Sequence, residues 1–191
     1  MELSDRFTEA MVCAARLHAK QKRKGTGEPY VSHLLRVAGI ALEHGADEDE
    51  AIAALLHDAV EDQGGPATRA AIRRQLGDRV AEIVDGCTDT DQEPKPPWRQ
   101  RKEAYLARLR AAPPSVRLVS ACDKLDNARS TLLGYRLHGE SLWDRFRGGR
   151  EGTLWYLRSV VDVLGQAGTT PLVEELDRVV SELEGLVKRS T

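Results

Sequence analysis

Ala54-Leu55-Leu56-His57-Asp58-Ala59-Val60-Glu61-Asp62 is the stretch on which the rest of the chain is organised. At about 100° per residue, Ile52, Leu55, Leu56, Ala59 and Val60 fall on one side of a helix. His57 and Glu61 are one turn apart, as are Asp58 and Asp62, and all four point to the opposite side. The spacing predicts one helix whose apolar stripe meets a core while three carboxylates and an imidazole converge on one spot. Carboxylates that close repel each other unless a cation sits among them. A solvated acidic face ordinarily carries Lys or Arg among its acids, and this one carries none. The stretch therefore reads as part of a metal site.

The surrounding composition fits a soluble, all-α domain. The chain has 191 residues, 41 % apolar and 30 % charged, enough for one domain with a substantial core. Aromatics are few, alternating β-branched runs are almost absent, and Ala, Leu, Arg and Glu dominate, which favours helices. A net charge of −2 gives no case for nucleic-acid or membrane binding. No segment reads as a signal peptide or a membrane span. Cys13, Cys87 and Cys122 are far apart and form no C-x-x-C pair, so they read as reduced thiols in a cytoplasmic protein. Oligomeric state is left open.

Working outward, Ser4 caps a first helix with Phe7, Ala10, Met11, Ala14 and Leu17 at helical spacing. The basic run Lys20 to Lys24, with Gly25, Gly27 and Pro29, reads as a loop that leads directly into His33. Pro29 suits the first turn of a second helix, whose stripe is Leu34, Val37, Ala38 and Ala41 and whose stop is Gly45. Asp47 or Asp49 caps the central helix, which ends at Gly64-Gly65-Pro66. Thr68 begins a short helix closed by Gly77, and Val80, Ile83 and Val84 mark another closed by Gly86. Thr88 to Trp98 is a loop. The helix from Arg99 to Leu109 starts with Arg99, Arg101 and Lys102, cations that oppose its dipole and so suit an anion-facing role.

A helix from Ser115 to about Leu133 carries Asp123 among the apolar residues Val119, Cys122 and Leu125. A carboxylate there is costly without a cation or several donors, which makes Asp123 a further ligand. Asn127, one turn on, reaches whatever binds beside it. Gly134 to Gly149 reads as irregular and Arg-rich, and two last helices span Gly152 to Leu164 and Pro171 to Lys188.

His33, His57, Asp58 and Asp123 thus form a set of two imidazoles and two carboxylates. Mixed nitrogen and oxygen ligands suit Mn²⁺, Fe²⁺ or Zn²⁺ better than Ca²⁺, and leave positions for water and a substrate oxygen. A divalent ion lowers the pKa of the water it holds, and Glu61 and Asp62 are placed to orient that water or to hand a proton to a leaving group. The implied chemistry is hydrolysis of a phosphate ester or anhydride.

Arg23-Lys24 with Gly27-Glu28-Pro29-Tyr30 and His33, then Leu55-Leu56-His57-Asp58 with Val60-Glu61-Asp62, form the first part of a longer pattern. Leu76-Gly77, Val84-Asp85-Gly86-Cys87-Thr88 and Asp123-Lys124-Leu125 with Asn127 and Arg129 complete it. This pattern resembles the HD-domain phosphohydrolases, and within them the hydrolase half of RelA/SpoT-type enzymes and the free-standing small alarmone hydrolases. The resemblance implies a single helical HD-domain bundle of about eight to ten helices around a metal site. It would span 1–191, with a core over 5–133 and helices over 150–188 packing on it. It also implies a Mn²⁺ site at His33, His57, Asp58 and Asp123, an acid/base role for Glu61 and Asp62, and nucleotide contacts from Arg23, Lys24 and Asn127. The reaction would remove the 3′-pyrophosphate from (p)ppGpp to give GDP or GTP. With no synthetase segment in the sequence, only the hydrolytic direction is expected. Gln63 stands where those hydrolases usually have Thr, and Leu34 where Pro is usual. Both flank the site and bear on which nucleotide fits. A related hydrolase of an adenine alarmone, NADPH or a deoxynucleotide, and a non-catalytic nucleotide sensor, are the alternatives.

Overall fold

The computed structural model describes residues 2–24, 27–92 and 94–189; Gly25 and Thr26 of the basic loop lie outside them. Among the described residues the chain is helical, in the order α1 (Asp5–Leu17), α2 (Val31–Glu43), α3 (Glu48–Leu56), α4 (Ala59–Asp62) and α5 (Gly65–Leu76). Then follow α6 (Asp78–Cys87), α7 (Trp98–Arg110), α8 (Pro114–His138), a 3₁₀ segment (Gly139–Arg145), α9 (Gly149–Ala167) and α10 (Pro171–Arg189). No described helix is long and apolar enough to cross a membrane. Cys13, Cys87 and Cys122 form no disulfide.

Local chemistry sets many of the ends. The Ser4 side chain accepts from the Arg6 amide, and Asp47 with Glu50 forms a reciprocal capping box at the start of α3. Gly45 takes φ 82° after α2, a conformation that glycine adopts without a Cβ penalty. α3 is the centre of the bundle, and every residue from Ala51 to Leu56 is buried. It packs against α1, α2, α6 and α8, so its surroundings are apolar on all sides rather than along one stripe. α10 closes the far side against α8 and α9.

Several boundaries differ from the sequence reading. The central helix is not continuous: α3 stops at Leu56, His57 and Asp58 form a turn, and α4 restarts at Ala59. Apolar periodicity runs through the break, which hides it. Pro29 precedes α2 rather than entering it, and pairs with Lys22 in an isolated antiparallel bridge that closes the basic loop. α5 starts at Gly65, earlier than Thr68, because Pro66 occupies its first turn. Gly86 lies inside α6 and lets that helix approach α8, since a Cβ there would sit 2.5 Å from Val116 Cγ2. Gly134 to His138 is not irregular but the end of α8; a Cβ on Gly134 would meet Leu142 of the 3₁₀ segment at 2.9 Å. Packing there outweighs the low helix propensity of glycine.

Candidate metal centre

Four of the sequence candidates come together where α2, the α3–α4 turn and α8 meet. His33 enters from the first turn of α2 and His57 from the turn after α3, and both are buried. Their Nε2 atoms lie 3.6 and 3.0 Å from Asp58 Oδ2, and 3.3 and 3.5 Å from Asp123 Oδ1. His33, His57 and Asp58 offer ligand atoms all within 4.8 Å of one another.

The second ring nitrogens explain the orientation. His57 Nδ1 faces the Ala54 carbonyl at 2.8 Å, and His33 Nδ1 faces Asp126 Oδ2 at 2.6 Å. Each Nδ1 therefore donates its hydrogen, and each Nε2 presents a lone pair to the same spot. Neither Nε2 atom has a hydrogen-bond partner although both are buried. The two Nε2 lone pairs face carboxylate oxygens with no donor between them and need positive charge there, so this donor set fits a divalent cation. With protons alone the rings must supply that charge themselves. Burial disfavours the His33 imidazolium, yet Asp123, Asp126 and Asp58 raise its pKa to about 9. His57 is raised likewise against burial by Asp58 and Asp123. Burial opposes the charge on Asp58 and on Asp123, but the imidazoles, and Lys124 beside Asp123, hold both carboxylates well below the usual range.

Glu61 and Asp62 follow one turn later on α4 and face the same cavity. Glu61 Oε1 lies 3.1 Å from Lys95 Nζ and 3.8 Å from Arg101 Nη1. Burial raises the pKa of Glu61, the Asp58 charge adds to this, and Lys95 opposes it. Asp62 is exposed and accepts from Gln21 Nε2 at 2.7 Å.

The cavity measures about 900 Å³ and extends from this cluster to the 3₁₀ segment and the start of α9. α8 lines its length with Asp123, Asn127, Ser130, Gly134 and Leu137, residues spaced by three and four and hence on one face. Arg23 donates to Asn127 Oδ1 at 2.8 Å, its guanidinium lies 5.7 Å from the Tyr30 ring centre, and Asn127 in turn donates to Asp123. Lys24 is exposed at the cavity edge. Of the cations that begin α7, Arg101 and Lys102 line the cavity while Arg99 stacks over Trp155 at 3.2 Å. Arg101 and Lys102 are both bound to Asp89, itself buried, so their charge is partly compensated before any ligand arrives.

Sequence reasoning missed Asp126, and it quoted Tyr30 and Lys124 within the pattern without giving either a role. Asp126 braces His33 and is itself bound by Arg36 Nε at 2.6 Å. Tyr30 donates to Asp58 Oδ2 at 2.6 Å. Lys124 pairs with Asp123 and lies 5.3 and 5.7 Å from the Tyr105 and Tyr156 ring centres. The available signal for Asp126 was a second acid three residues after Asp123, again next to apolar Leu125.

A family model described as HD domain matches residues 10–153. The chain is 36 % identical over 127 residues to an Aquifex aeolicus protein named guanosine-3′,5′-bis(diphosphate) 3′-pyrophosphohydrolase, covering 66 % of this chain and 18 % of that one. It is 35 % identical over 131 residues to the bifunctional (p)ppGpp synthase/hydrolase SpoT of Escherichia coli K12, covering 65 % and 18 %. The chain thus spans less than a fifth of the length of these curated relatives. Among solved structures, one described as a metazoan ortholog of SpoT that hydrolyzes ppGpp superposes with a TM-score of 0.80 at 26 % identity, covering 95 % of this chain and 97 % of that one. A Listeria monocytogenes protein superposes at 0.68 with 33 % identity, covering 83 % and 99 %. The all-α bundle, its cluster of histidines and aspartates and the matched residues together place the chain in a family that implies a divalent metal: it belongs to the HD domain family.

Proposed function

We propose that this chain is a Mn²⁺-dependent hydrolase that removes the 3′-pyrophosphate from (p)ppGpp, leaving GDP or GTP, and that it works as one cytoplasmic domain over 1–191. The observation that carries the reading is the pair of buried, hydrogen-bond-free Nε2 atoms facing Asp58 and Asp123, with Glu61 and Asp62 one turn away. The names of the relatives supply the substrate.

His33, His57, Asp58 and Asp123 would hold the ion. When bound, a divalent ion supplies Lewis acidity at the phosphoryl oxygens and lowers the pKa of water. Glu61, whose carboxyl burial raises above the usual carboxylate range, serves as the proton-transfer group. Asp62, exposed to the cavity, orients the attacking water. Lys95, Arg101, Lys102 and Lys124 set positive charge along the wall next to Glu61 and Asp123, where phosphate charge accumulates. Arg23 offers a planar cation for stacking on the purine, Asn127 an amide beside it, and Lys24 a mobile charge at the entrance.

Incubation of the purified protein with Mn²⁺ and a nucleotide panel tests the reading. Pyrophosphate release from guanosine tetraphosphate should dominate, and Glu61→Gln should lower kcat by about 10²–10⁴-fold while Mn²⁺ still binds. Preferred turnover of NADPH, an adenine alarmone or a deoxynucleotide would overturn the substrate, and tight binding without turnover would overturn the enzyme.

A further inference from the structure

The geometry points to Gln21 as the positioning residue of Asp62, with His18 and Gln63 fixing which way its amide faces. This rests on the role proposed above for Asp62. That carboxylate is exposed on a four-residue helix, and nothing in α4 itself restrains its rotation. Gln21 does: its Nε2 donates to Asp62 Oδ2 at 2.7 Å. The other end of the same amide is held twice, because Gln21 Oε1 accepts from Gln63 Nε2 at 2.6 Å and from the His18 ring at Nδ1 at 2.7 Å.

This set of bonds has one self-consistent orientation. The Asp62 carboxylate decides it, because turning the Gln21 amide over would aim its oxygen at a group with no hydrogen to give. His18 is buried and lies nearly flat on Tyr30, with ring centres 5.2 Å apart and planes 14° apart. Tyr30 in turn donates to Asp58 Oδ2 at 2.6 Å. One stacked pair of rings therefore stands behind two acids, Tyr30 directly behind Asp58 and His18 through Gln21 behind Asp62. The α4 backbone sets the spacing of these two acids, and the stack holds the side chains that orient them. A misplacement of about 1 Å in such a group can cost on the order of 10²-fold in rate.

Gln21→Met keeps the length of the side chain and removes its bonds. With Mn²⁺ and guanosine tetraphosphate, kcat should fall about 10-fold while KM and Mn²⁺ affinity by calorimetry stay within about twofold. Gln21→Glu, which sets a like charge against Asp62, should fall further. Unchanged kcat in both variants overturns the proposal, and so does a loss confined to KM, which would make Gln21 a substrate contact. If Gln21→Met lowers the melting temperature by more than about 5 °C, Gln63→Met decides instead: a loss of about two- to threefold in kcat is expected and none overturns. If the wild-type protein turns over no nucleotide, the proposed function has failed separately. The positioning is then judged from a crystal structure of Gln21→Met: it stands if Asp62 leaves its wild-type rotamer and is overturned if it does not.

Discussion

The two imidazoles of the centre reach one spot by opposite means. His57 is braced locally, by the carbonyl of Ala54 three residues back in α3. His33 is braced from 93 residues away, by Asp126, which is bound in turn by Arg36, and Arg36 by Glu28 at 2.9 Å. The first brace is backbone and comes with the turn that ends α3. The second is a chain of side chains that exists only once α2 and α8 have packed. One half of the centre is therefore local and the other is a product of tertiary structure, although both present the same atom to the same place.

This contrast can be broken at the distant brace, and the largest effect is expected there. Asp126→Ala leaves His33 free to turn and Arg36 without its buried partner, so Mn²⁺ affinity should drop about 10–100-fold by calorimetry. No side-chain substitution at Ala54 can do the same to His57. pH sharpens the comparison next. The His33 pKa is about 9, above the roughly 6.5 of an unfolded histidine. In metal-free protein this contribution is therefore complete below about pH 6.5 and is lost as pH rises toward 9; its size is on the order of 3 kcal/mol. A divalent ion held at this site would replace the proton, so the rise in melting temperature on adding Mn²⁺ should grow between pH 6.5 and 9. A rise that shrinks over this range would contradict the assignment. The smallest effect belongs to Tyr30→Phe, which deletes one donor to the partly exposed Asp58. It should cost about 1 kcal/mol, seen as about fivefold weaker Mn²⁺ binding.

The same contrast decides what could be read from the sequence. His57-Asp58 with Glu61-Asp62 was legible because its geometry lies within six residues. Asp123 was legible because a charge among apolar positions is conspicuous. Asp126 was not read, because its one local signal, an acid beside apolar Leu125, does not say which group on another helix it would brace. The break between α3 and α4 was hidden by Leu56, Ala59 and Val60, whose spacing continues as if the helix did. Gly134 to His138 was read as irregular because glycine and arginine suggest a loop, whereas close contact between Gly134 and Leu142 keeps the chain helical.

α8 has a further consequence. From Asp123 to Leu137 its cavity face runs for about 21 Å at 1.5 Å per residue. A single rigid rod thus acts as the ruler against which a ligand is measured. Its two marks cannot drift apart, so a ligand seated at the far end is already in register with the acids at the near one.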